Sequence, residues 1–118
     1  MQLKDKNESL STSLYRWGLD FNENLELDNK DGKTIENYMN VVNKLIEYVS
    51  SNKNIDEQNF EDIDDRFFRR YFYYRDEEHI KKTGKSLKSS TKQNDKKVLI
   101  IFLNYIEEEN DNKFEFQI

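Results

Sequence analysis

Apolar residues recur along the chain at the three- and four-residue spacing of amphipathic helices, and the first such stripe lies near the N-terminus. It comprises Leu10, Leu14, Trp17 and Phe21. Ser9 or Ser11 is placed to cap this helix, because a serine hydroxyl accepts hydrogen bonds from the unpaired amides of a first turn. Gly18 weakens the helix prediction in the middle of the stripe. Residues 27–33 (LDNKDGK) then predict a turn.

The second stripe predicts a helix of about four turns, with Thr34 as its N-cap. Its apolar face comprises Ile35, Tyr38, Met39, Val42, Leu45, Ile46 and Val49. The acidic residues 55–65 follow and predict a solvated connection that Phe60 and Ile63 anchor to the core.

Residues 64–75 predict a third helix, rich in aromatic and arginine side chains. One face of it holds Phe67, Phe68, Tyr71, Phe72 and Arg75, whereas Arg69, Arg70 and Tyr73 lie elsewhere. Such a mixture can stack on nucleobases, but packing of the rings into the core is the interpretation we favour. Residues 81–89 (KKTGKSLKS) then predict a basic loop. Its Gly84-Lys85-Ser86 lacks the earlier glycine and the preceding strand of a nucleotide-binding P-loop.

The last predicted helix begins near Ser90 or Thr91 and ends near Glu108. Its second half is apolar on so many sides that we expect it at the centre of the domain. Its first two turns are polar and mostly cationic, so the helix should enter from a basic surface and end in the core. Together these patterns predict an all-α fold, a compact bundle of four or five helices.

Composition agrees with that fold and excludes several kinds of site. The chain has 118 residues, which suits one domain, and its lack of proline argues against a loop-rich all-β fold. It has no cysteine and one histidine, so we expect no catalytic residues, no metal site and no cofactor. No apolar run approaches a membrane helix or a signal peptide in length. We therefore expect a cytoplasmic protein that does not bind a membrane.

Charge is distributed very unevenly along the chain. The net charge is −5, which by itself argues against binding to nucleic acid. Residues 81–97, however, carry seven lysines and one aspartate, a net charge of +6. Because salt limits electrostatic interactions to about 10 Å, such a segment can attract phosphate on an acidic molecule. Lysines that merely keep a loop soluble are the alternative interpretation.

Several short motifs follow one another in an order that resembles a known family. A Thr34-x-x-x-Tyr38 helix ends in residues 45–49 (LIEYV), and an acidic connection and an aromatic helix follow. Ser89-Ser90-Thr91 then precedes residues 102–106 (FLNYI), with Thr91 eleven positions before Phe102. This arrangement resembles the N-terminal core-binding domain of tyrosine recombinases, the phage-integrase SAM-like domain.

The resemblance implies a DNA-binding domain that forms one half of a clamp around duplex DNA, for DNA integration or recombination. It implies a flexible N-terminus (residues 1–9), a helical DNA-binding core (10–109) and the start of a linker (110–118) to a catalytic domain absent from this chain. The chain alone would then not be an enzyme and would have no small-molecule substrate. Its partners would be double-stranded DNA and other recombinase protomers of the full-length protein. The alternative is a helical protein–protein interaction module that does not bind DNA.

Two segments supply the cations and hydroxyls that a DNA backbone requires. The first, at the start of the second predicted helix, consists of Lys33, Thr34 and Asn37. The second consists of Lys85, Lys88, Ser89, Ser90, Thr91, Lys92, Gln93, Asn94, Lys96 and Lys97. Gln93 and Asn94 are suited to adenine edges, although a solvated surface role stays open for both, and Thr91 is also a candidate N-cap.

Overall fold

The computed structural model describes residues 2–110, and helices account for most of them. The four long helices are α1 (Leu10–Leu27), α2 (Gly32–Ser50), α4 (Asp65–Thr83) and α5 (Ser89–Glu109). The short helix α3 (Lys53–Asp56) and a 3₁₀ turn (Phe60–Asp62) lie between α2 and α4. Residues 2–110 contain no strand, so the prediction of an all-α bundle is confirmed. The likeness to a SAM-like domain stays a prediction.

The core lies where α1, α2 and α5 meet. The Phe21 ring of α1 contacts the Phe102 ring of α5, with centroids 5.2 Å apart. The buried side chains of α5 include Val98, Leu99, Phe102, Leu103 and Ile106. The expectation that this helix is central is therefore confirmed. The predicted anchors Phe60 and Ile63 are also buried.

Gly18 lies in the middle of α1, and the helix continues through it. It is buried and faces α2, where an added Cβ would lie 3.5 Å from Val42 Cγ1 and 3.8 Å from Met39 Cε. Those distances are ordinary van der Waals contacts, so the position has room for one more carbon. Burial against α2 outweighs the weak helix propensity of the glycine.

The ends of several helices differ from their predicted positions. Ser9 caps α1, as predicted. Thr34 is not the N-cap of α2: Asp31 is, because its carboxylate accepts a hydrogen bond from the Thr34 amide at 2.8 Å. That hydrogen bond lowers the pKa of Asp31. Helix α5 begins at Ser89 rather than at Ser90 or Thr91, with Lys88 in the N-cap position, so Thr91 is not an N-cap.

Helix α4 is longer than predicted and ends at Thr83 instead of residue 75. Its last two turns contain charged residues that favour helix without forming an apolar stripe, so periodicity alone did not find them. Gly84 ends the helix in the left-handed conformation, with φ of 75°, and its amide donates to the Ile80 carbonyl at 2.7 Å. The basic loop is therefore only residues 84–88.

The segment before α1 contacts the body of the domain. The Leu3 carbonyl accepts hydrogen bonds from Trp17 Nε1 at 2.8 Å and from Arg16 at 3.2 Å. Arg16 also binds Glu8 and lowers the pKa of that carboxyl to about 2. The flexibility of residues 1–9 stays a prediction. Most of the predicted linker, residues 111–118, lies outside the described residues.

None of the helices within residues 2–110 has the length and apolar character needed to cross a bilayer.

The substitution Gly18→Ala should raise the free energy of unfolding by about 0.5–1 kcal/mol, because alanine favours helix and its methyl group fits the available space. Urea denaturation followed by circular dichroism measures the change. Gly84→Ala is the matched control: its left-handed backbone strains any side chain, so stability should fall by about 1 kcal/mol. A loss of stability in both variants would contradict the packing described for Gly18.

Candidate nucleic-acid interface

The two predicted DNA-contacting segments lie against each other in the structure. Asn37 of α2 donates to Asn94 Oδ1 at 3.3 Å, and Asn94 of α5 donates back to Asn37 Oδ1 at 3.1 Å. This reciprocal amide pair joins residues that are 57 positions apart in the sequence. The pair brings the start of α2 next to the start of α5. We call the surface formed by residues 33–37 and 85–97 around this contact the basic face.

Most of the predicted contact residues on the basic face are exposed. The exposed members are Lys33, Asn37, Lys85, Lys88, Ser89, Ser90, Gln93, Lys96 and Lys97. The half-buried members are Thr34, Thr91, Lys92 and Asn94. Five of the lysines can therefore reach a phosphate without rearrangement of the bundle. Of the two candidate adenine readers, Gln93 is exposed, whereas Asn94 is engaged with Asn37.

Asp76 of α4 organises one edge of the basic face. Its Oδ1 atom accepts a hydrogen bond from the Leu87 amide at 2.9 Å and lies 3.6 Å from Lys92 Nζ. The carboxylate thus holds the basic loop, residues 84–88, and partly neutralises Lys92. Among the lysines predicted to contact DNA, Lys92 must exchange this carboxylate for a phosphate.

A buried ion pair lies beneath the basic face. Arg75 of α4 donates to Asp95 of α5, and their side chains are only 10% and 4% exposed. Burial alone would lower the pKa of Arg75. Tyr71 and Asp95 outweigh this effect, so the pKa is raised above its ordinary value and the guanidinium stays charged. Asp95 is the only acid among residues 81–97, and this pairing directs its charge inward. The outward-facing charge of the segment is consequently that of its lysines.

A small depression lies where α4 meets the first two turns of α5. Its volume is about 240 Å³, and its lining residues are Phe72, Ser89, Lys92, Gln93 and Lys96. Phe72 was predicted to share the aromatic face that packs in the core, and Phe67, Phe68 and Tyr71 are indeed buried there. Phe72 itself is only half-buried, so part of its ring lines the depression.

A second cluster of cations lies on the outer face of α4, which the sequence analysis did not select. Its cations are Arg66, Arg69 and Arg70, and Tyr73 lies beside them. Arg69 forms an exposed ion pair with Asp65 at 3.2 Å, and Tyr73 is 68% exposed. The acidic residues just before α4 cancel the positive charge of these arginines when charge is summed along the sequence. Their spacing of three and four residues was the signal that could have identified the patch.

Within residues 2–110, no group of three or more histidine, cysteine, aspartate or glutamate side chains is placed to hold a metal ion. Comparison of the chain with models of protein families, with curated proteins and with solved structures gave no match.

Removal of the buried carboxylate should destabilise the domain strongly. Asp95→Ala leaves the charge of Arg75 buried without a partner, and the free energy of unfolding should fall by about 3 kcal/mol. Chemical denaturation measures this loss. Asp65→Ala is the control, because its ion pair with Arg69 is exposed and should contribute about 0.5 kcal/mol or less. Equal small losses in the two variants would show that the buried pair does not hold α4 to α5.

Proposed function

We propose that this chain is a DNA-binding domain, the core-binding domain of a site-specific tyrosine recombinase. In this proposal it forms one half of a clamp around duplex DNA, and a separate catalytic domain carries out integration or recombination. The reciprocal Asn37–Asn94 pair is the observation that carries the DNA-binding proposal, since it supports a contact between the two segments that we propose to bind DNA. The recombinase assignment rests on the order and spacing of the sequence motifs.

The chemistry of the basic face suits a DNA backbone. Lys85, Lys88, Lys96 and Lys97 are exposed, and each can neutralise a phosphate. The hydroxyls of Ser89 and Ser90, on the first turn of α5, can add neutral hydrogen bonds to phosphate oxygens. These contacts orient a protein on the duplex without reading its sequence.

The geometry of α5 also suits base readout. The major groove of B-DNA is about 12 Å wide and admits one α-helix. The exposed side chain of Gln93 lies among the lysines that would contact the flanking phosphates. A glutamine can form two hydrogen bonds with the edge of an adenine, so Gln93 is the residue we assign to sequence recognition.

The patch on the outer face of α4 favours a second candidate function, a protein–protein interaction module. Arginine and tyrosine are enriched at the centres of protein interfaces, and Tyr73 is 68% exposed. In that case the partner would contact Arg66, Arg70 and Tyr73, and the basic face would serve solubility only.

Charge reversal at two exposed lysines tests the proposal. We expect the wild-type chain to bind a duplex with a slope of roughly −4 to −5 in a plot of log affinity against log salt, as for about four to six phosphate contacts. Lys88→Glu combined with Lys96→Glu should weaken binding and make this slope shallower by about two. Fluorescence anisotropy across a salt series measures both quantities.

The matched control is Lys6→Glu combined with Lys53→Glu, which changes the net charge equally at two exposed lysines outside the basic face. Lys53 follows the C-terminus of α2, the end opposite to Asn37. Near-normal binding by this control would locate the contact on the basic face. Equal losses in the two double variants would contradict that location, and no binding by the wild-type chain would favour the protein-interaction module.

A further inference from the structure

The first two turns of α5 present a polar strip beside an aromatic ring. Ser89, Lys92, Gln93 and Lys96 are separated by three, one and three positions, so they share one side of the helix. Phe72 of α4 lies next to this strip, and together the five residues line the depression of about 240 Å³. The apolar ring of Phe72 thus lies beside the cations Lys92 and Lys96 and the exposed amide of Gln93.

Phe72 packs against the edge of the core but is less buried than its aromatic neighbours on α4. Phe67, Phe68 and Tyr71 on the same helix are 7%, 2% and 0% exposed, whereas Phe72 is half-buried and borders Lys92 and Lys96. The Phe72 ring contacts Tyr71 at a centroid distance of 5.3 Å, so the neighbouring core fixes one side of it. The part of the side chain that stays exposed lines the depression beside Lys92 and Lys96.

The chemistry of this depression matches one base pair better than the others. In the major groove, an A·T pair presents the adenine N6 and N7 atoms beside the thymine methyl group, which is the only apolar group there. A glutamine side chain can form hydrogen bonds with adenine N6 and N7, and a phenylalanine ring can contact the thymine methyl group. The lysines on either side would contact the flanking phosphates.

We propose that Phe72 and Gln93 make the basic face selective for A·T base pairs, with the Phe72 ring against the thymine methyl group and the Gln93 amide at the adenine edge. This inference rests on the proposed DNA-binding function and adds a sequence preference to it. Phe72 would be a specificity residue, since loss of its ring removes a contact that only thymine supplies.

Three alternating duplexes of about 20 base pairs test the inference with the full chain: d(A-T), d(A-U), which differs only by the absent methyl groups, and d(G-C). We expect the wild-type protein to bind d(A-T) about fourfold more tightly than d(A-U), as for one buried methyl group. In Phe72→Ala the two affinities should become equal. Gln93→Ala should bind d(A-T) and d(G-C) more equally but keep its preference for d(A-T) over d(A-U).

Tyr15→Ala is the control variant, because it removes a 55% exposed aromatic ring on α1 and should leave the preference unchanged. Equal affinity of the wild-type protein for d(A-T) and d(A-U) would overturn the inference while DNA binding stands. This comparison needs no variant, so it holds even if Phe72→Ala does not fold. A preference retained in folded Phe72→Ala would overturn the role of Phe72, and binding to none of the duplexes would overturn the proposed function as well.

Discussion

The buried ion pair between Arg75 and Asp95 holds the cationic end of α5 against the rest of the bundle. Two charges removed from water are costly unless each has the other as its partner. The pair therefore fixes the register of α5 on α4 at the turn from which the lysines project. It also places the one acid of residues 81–97 inside the domain, so that the exposed charge of this segment is that of its lysines.

The lysines themselves are not in a favourable local environment. Lys88 and Lys92 lie in or next to the first turn of α5, where the helix dipole is positive and disfavours cations. The Asp76 carboxylate reduces part of this repulsion, because its Oδ1 atom lies 3.6 Å from Lys92 Nζ. A phosphate would relieve the rest, which supports the proposal that this face binds DNA, since local rules are commonly broken where a protein has a functional requirement.

The acidity of the remaining chain complements this arrangement. With a net charge of −5, most of the molecule repels a polyanion, and residues 81–97 attract it at short range. A duplex should therefore approach in one orientation, with Asn37 and Asn94 near the contact. The arginines on the outer face of α4 lie close to acids such as Asp65, which weakens their pull on DNA.

The periodic spacing of apolar residues predicted the helical bundle, because the apolar side of each helix is the side that is buried. It identified the first helix, the central role of α5 and the anchors Phe60 and Ile63. It misplaced the start of α2, since Asp31 competes with Thr34 as a cap, and it missed the end of α4, where no apolar stripe exists.

The spacing of apolar residues does not indicate which polar residues meet across the fold. The pairs Asn37–Asn94 and Arg75–Asp95 were therefore found only in the structure. A sequence clue did exist for the second pair. Arg75 and Asp95 each fall on the apolar stripe of their helix, and a charge on a buried stripe requires a partner.

The most direct test of the account is an NMR titration of the ¹⁵N-labelled chain with duplex DNA. If the basic face is the contact surface, the largest shifts should fall on residues 33–37 and 85–97, including the side-chain amides of Asn37 and Asn94. The signals of Arg66, Arg69, Arg70 and Tyr73 on the outer face of α4 should change little. Shifts centred on that outer face of α4, or no shifts at low salt, would contradict the central claim.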